Sequence, residues 1–171
     1  MVTVILFGKA DDNDVEGILS VLSPYNIMTV KNGEIVGQKN PKLLLIFCEK
    51  LPKIKIQSGI LAAVGNFSEQ GNFRIPKCFR GLVGSEEAES LAFFKKLKIP
   101  TLTFGMSNED SLVLSGVRDH SASVCLQRGL VTLNGRRIEP REYPSKIEST
   151  ISYKSLLIAY GILLLADIEP I

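Results

Sequence analysis

The residues best suited to chemistry follow an apolar run near the start of the chain, in the stretch Gly8-Lys9-Ala10-Asp11-Asp12-Asn13-Asp14. Three closely spaced carboxylates are hard oxygen donors of the kind Mg²⁺ takes. Glu49, at the end of a later apolar run, is the natural fourth ligand. Asp11, Asp12, Asp14 and Glu49 together could therefore support metal-dependent phosphate or carboxylate chemistry. The same acids also have a plainer use, because any of them caps a following helix and complements its dipole. Capping needs no metal, and we favour it. Cys48, Cys78 and Cys125 are odd in number and lack C-x-x-C spacing, which points away from a zinc site or a disulfide framework and toward buried thiols in a reducing compartment. His120 is the only histidine. Without a partner motif it reads as a polar loop residue rather than a catalytic base.

These side chains need a scaffold, and the composition supplies one. The 171 residues, 45% hydrophobic and 22% charged, are typical of one ordered domain spanning 1–171. A net charge of +2 is too small to imply a nucleic-acid or anionic-membrane partner. Arg118, Arg128, Arg136, Arg137 and Arg141 gather late in the chain but are interleaved with Asp119, Glu139 and Glu142, as on a solvated strand face. The longest apolar run, Leu156 to Ala166, falls short of the roughly 20 residues that cross a bilayer. Met1 leads directly into a β-rich run with no basic, apolar leader, so a cytoplasmic chain is expected.

Hydrophobic periodicity places the elements. Val2 to Phe7, Leu43 to Phe47, Ile60 to Val64 and Thr101 to Phe104 are continuous apolar or β-branched runs, expected as central parallel strands. Val15, Ile18, Leu19 and Leu22 recur at helical spacing up to Pro24. Ile27 to Val30 and Glu34 to Val36 flank Asn32-Gly33 as a hairpin. Leu82-Val83 runs into Gly84-Ser85-Glu86-Glu87, a helix start that ends before Pro100. Beyond Asp110, short strands at Leu112 to Val117, Ala122 to Leu126, Leu130 to Leu133 and Arg136 to Tyr143 form a small antiparallel appendage. A last helix, capped by Ser149 or Thr150, is apolar almost all round and therefore buried. The fold expected is α/β, a Rossmann-like doubly wound, mostly parallel sheet.

In order and spacing these elements resemble the central, ATP-binding domain of the Mur ligase family. Asn66-Phe67-Ser68-Glu69-Gln70 after Leu61 to Val64 is similar to the family's strand followed by Asn-x-x-x-Asp-His. Leu82 to Glu87 is similar to its strand before Asn-x-Asp-Asp, and Leu102-Thr103-Phe104-Gly105 to its strand ending in Thr-Phe-Gly. The helix from Tyr153 to Ile168 resembles the one that closes the family's central domain. The resemblance implies a bacterial protein linked to cell-wall metabolism.

The departures from that pattern decide the functional expectation. The family's glycine-rich loop ends in Gly-Lys-Thr or Gly-Lys-Ser and cradles phosphates on backbone N–H groups, whereas this chain has acids in that place. Glu69 or Gln70 stands where the family histidine belongs, and the family's flanking domains have no counterpart in these residues. The expectation is a pseudoenzyme with no nucleotide cofactor, binding a protein partner or a small ligand beyond the strand ends. Lys9, Asp11, Asp12, Asn66 and Glu86 are the candidate ligand-binding residues, and the loops carrying them favour a cation or a neutral polar ligand. A degenerate receiver-like signalling domain is an alternative, suggested by Asp11-Asp12 and by Leu43 to Leu51. Against it, Cys48-Glu49 stands where the acceptor aspartate belongs and Phe104-Gly105 where a lysine should.

Overall fold

A computed structural model describes residues 1–67, 71, 73–118, 121–146 and 150–171. Asp119, His120, Ser68, Glu69, Gln70 and Ser149 lie outside them. The chain begins with β1 (Val2–Phe7), α1 (Asp12–Leu22), β2 (Ile27–Lys31) and β3 (Glu34–Gly37). It continues through β4 (Leu43–Cys48), β5 (Ser58–Ala63), β6 (Cys78–Gly84), α2 (Ala88–Leu97) and β7 (Thr101–Gly105). The last third holds β8 (Leu112–Arg118), β9 (Ser121–Leu126), β10 (Leu130–Val131), β11 (Arg137–Ile138), β12 (Arg141–Lys146) and α3 (Tyr153–Leu165).

One sheet runs in the order β12-β9-β8-β7-β6-β5-β1-β4-β2-β3. The strands from β2 to β8 across its middle are parallel, and the hairpin partner β3 at one edge and β9 and β12 at the other are antiparallel. The antiparallel strands near the end of the chain thus continue the main sheet through the parallel β7–β8 pair, and only β10 and β11 form a separate two-stranded piece. β1 sits between β4 and β5, whereas a receiver-type order of 2-1-3-4-5 would put the first strand between the second and third. The receiver alternative fails on that order.

Alternation along β1 explains the layers. Val4 and Leu6 face a core shared with Ile18 and Leu22 of α1 and with α3, while Ile5 and Phe7 face α2 through Phe93 and Phe94. Every residue of α3 from Ser155 to Leu165 is buried, as expected for a helix without a polar face. On the opposite face an edge-to-face cluster joins Phe7, Phe67, Phe93 and Phe94, with the Phe7 and Phe67 centroids 4.7 Å apart.

Four local expectations change. The cap of α3 is Ser152, whose side chain accepts from Ser155 N–H, and not Thr150. Ser85 does not cap α2, because its hydroxyl donates instead to Asp110 at 3.0 Å and Glu87 takes the cap position. The stretch Arg136 to Tyr143 is two strands, interrupted at Glu139-Pro140, where proline offers no N–H to a ladder. The closing helix ends at Leu165 rather than Ile168, and Asp167 already has φ +64°.

Candidate functional site: the crevice at the strand ends

Because β1, β4, β5, β6 and β7 are parallel neighbours in register, their carboxyl ends lie along one edge of the sheet. The loops after them carry every candidate residue except Asp12 and Asp14, which sit in the first turn of α1. Their side chains divide into separate groups rather than one constellation.

Only Gly8 to Asp11 lie between β1 and α1, too few to wrap an anion, and this connection is packed against the loop after β5. A Cβ on Gly65 would stand 2.3 Å from the carbonyl oxygen of Lys9, and one on Gly8 would stand 3.0 Å from the carbonyl oxygen of Gly65. Two backbones therefore touch in the place where a phosphate loop would open. Asp11 accepts from Asn13 N–H at 3.1 Å as the cap of α1, so the helix N-terminus already holds a carboxylate.

The remaining acids diverge. Asp12, 89% exposed, pairs with Lys31 at 3.4 Å, a contact too solvated to be worth much. Asp14 turns toward α3, where its carboxylate accepts from the hydroxyls of Ser152 at 2.7 Å and Ser155 at 3.3 Å. Glu49 shares with Asp12 a cleft of about 220 Å³ that also includes Gly8, Lys31, Asn32 and Cys48. Among the described residues no three His, Cys, Asp or Glu side chains converge, and Asp11, Asp12, Asp14 and Glu49 each have separate surroundings. Lys9 and Asn66 are exposed on their loops.

A second cleft, of about 290 Å³, lies at the ends of β6 and β7 beside the start of α3. Its charged lining is Glu86, Glu87 and Lys154, and its apolar walls are Phe104, Met106, Tyr153 and Leu157. Glu87 Oε1 meets Lys154 Nζ at 2.6 Å, with the Glu87 side chain 12% exposed and that of Lys154 33%. Glu87 Oε2 is buried and has no hydrogen-bond partner among the described residues. Of the sequence candidates only Glu86 lines this cleft. Glu87 was legible merely as part of an acidic helix start, and Lys154 gave no signal because its partner lies far away in the chain.

Buried polar clips hold these loops. Ser90 donates to Gly65 C=O and accepts from Phe67 N–H, both at 2.9 Å, tying the loop after β5 to α2. Asp110 accepts from Ser85 Oγ at 3.0 Å and Ser107 N–H at 3.1 Å, tying the loops after β6 and β7 together. A Cβ on Gly105 would lie 2.4 Å from the Asp110 carboxylate, so this clip requires glycine there.

Elsewhere the potential chemistry is subdued. Burial pushes the Cys48 thiol up to about 11, and its sulfur donates to Leu6 C=O at 3.6 Å. Cys125 is also raised, first by burial and then by the Glu142 charge. Against the expectation of buried thiols, Cys48 and Cys125 are half-buried and Cys78 is exposed, since it opens β6 at the rim of the sheet. Arg136 pairs with Asp167, Arg137 with Glu139, and Arg141 with Glu169, so most of the basic group is neutralised locally. No helix among the described residues is long and apolar enough to cross a membrane.

No protein-family model matches the chain, and no curated protein matches it by sequence. Solved structures match its fold along nearly its whole length. MurF from Acinetobacter baumannii superposes with a TM-score of 0.61 at 9% identity, over 99% of this chain and 43% of that one. MurF ligase from Thermotoga maritima, in complex with ADP, gives 0.59 at 9% identity, over 99% and 46%. E. coli FolC, in complex with DHPP and ADP, gives 0.54 at 9% identity, over 100% and 54%. The fold is that of the Mur ligases, and the chain spans about half the length of the proteins that share it. At this level of identity the likeness is one of fold.

Proposed function

We propose that this is a non-catalytic Mur-ligase-like domain that works by binding a small ligand or a protein partner in the crevice at the carboxyl ends of its strands. The observation that carries this proposal is the closed connection between β1 and α1. Its backbone packs onto Gly65, and the helix N-terminus beyond it already holds the carboxylate of Asp11. A nucleotide phosphate brought there would meet acids and find no vacant cradle. The crevice next to it, by contrast, keeps an open cleft with a buried carboxylate in its lining.

The setting we infer is cytoplasmic, with a connection to cell-wall metabolism that rests on the shared fold with MurF. The domain would contribute recognition rather than phosphoryl transfer. Calorimetric titration with Mg-ATP, with phosphate release followed in the same samples, tests the proposal. Micromolar binding accompanied by turnover would overturn it.

A further inference from the structure

We propose that the cleft between the loops after β6 and β7 and the first turn of α3 binds a small organic ammonium carried on an apolar body, with Glu87 as its counter-ion. This rests on the reading of the strand-end crevice as the binding place and names the ligand class. The polar anchor is the Glu87 carboxylate. One oxygen is held by Lys154 at 2.6 Å, and the other is buried with no donor among the described residues. Buried carboxylate oxygens are normally satisfied, and this one is not, although the Glu87 side chain lines the cleft. Lys154 supplies one ammonium now, and a ligand would supply a second or take its place.

The walls set the rest of the ligand. Phe104 and Leu157 form apolar lining, while Met106 and Tyr153 stand 63% and 48% exposed at the same cleft. Aromatic faces also favour a cation. Gly84 keeps the space open, since a Cβ there would come within 3.3 Å of the Phe104 ring and 3.6 Å of the Glu87 carboxyl carbon. The volume, about 290 Å³, lies at the small end of ligand pockets and suits a compound with one ring or a short chain. With Glu86 and Glu87 against one lysine, the charge disfavours phosphates and carboxylates.

The test is a two-dimensional NMR titration of the full chain with phenethylamine, using phenethyl alcohol and 3-phenylpropionate as matched neutral and anionic probes. The expected result is saturable shifts at the amides of Gly84, Gly105, Met106 and Lys154 for the amine, with both controls weaker by about tenfold or more. Glu87→Gln should weaken the amine by about tenfold, and Glu86→Gln by far less. Should Glu87→Gln fail to fold, Lys154→Met serves instead, since removing the internal competitor should tighten amine binding. Equal binding of the anionic probe, shifts away from this cleft, or no shift at millimolar amine would overturn the proposal. Such a failure in a chain that also ignores Mg-ATP would sink only the ligand class, whereas turnover of ATP would sink the reading beneath it.

Discussion

The hydroxyl of Ser152 donates to the carboxylate of Asp14 at 2.7 Å while its oxygen accepts from Ser155 N–H at 3.0 Å, so the acid in the first turn of α1 is bonded to the cap of α3. The Ser155 hydroxyl adds a bond to Asp14 C=O at 3.0 Å. Asp14 is thus part of a joint between two helices. Asp14→Ala should cost about 1–3 kcal/mol, through the Ser152 hydroxyl left without its carboxylate acceptor. Asp12→Ala, at a solvated position, should stay within about 0.5 kcal/mol. Urea denaturation of the two variants checks this, and equal costs would contradict the joint.

Millimolar Mg²⁺ or Mn²⁺ should leave the melting temperature unchanged, because ligands that bind only the folded chain raise its stability and the four acids do not converge. A concentration-dependent rise, abolished by Asp12→Asn, would show that a cation gathers them.

The contrast between these acids shows what was legible in the sequence. Apolar runs located the parallel strands because two-sided burial writes a continuous hydrophobic signal, and Asn32-Gly33 set the first hairpin, with φ values of +53° and +82°. Local chemistry also placed a helix cap among Asp11, Asp12, Asn13 and Asp14, of which Asp11 takes it. What remained hidden depends on residues distant in sequence. Asp14 meets Ser152, Glu87 meets Lys154, and Asp110 reaches back to Ser85, so none of these pairings leaves a periodic or spaced signature. The α3 cap was misplaced for the same reason, since Ser149, Thr150 and Ser152 are equivalent until Asp14 selects one.

Ser90→Ala removes the side chain that joins Phe67 N–H and Gly65 C=O to α2. The loss should be about 1–3 kcal/mol because a buried donor and acceptor are left unpaired. Amide hydrogen exchange should show Phe67 losing protection first. Unchanged protection there would mean that the clip does not hold the loop.

Alkylation should separate the three thiols. Cys78 is exposed and should react first, whereas Cys48, pushed up to about 11 by burial, should react slowly in the folded chain. The sign of the pH effect follows from the same shift. Between about pH 9 and 11 the unfolded chain has released a proton that folded Cys48 still holds, so that group's contribution to stability is complete below 9 and is lost as pH rises toward 11. Cys48→Ala should flatten the fall in stability over that window, and an unchanged slope would exclude Cys48 as its source.

The most direct measurement is calorimetric titration of the intact chain with Mg-ATP, combined with a phosphate-release assay on the same samples. With Gly65 seated against Lys9 C=O and Asp11 occupying the helix N-terminus, the prediction is no saturable heat up to millimolar nucleotide and no phosphate above the protein-free rate. Micromolar binding with turnover would contradict it, because the loop between β1 and α1 would then have to open and hold phosphates despite its acids.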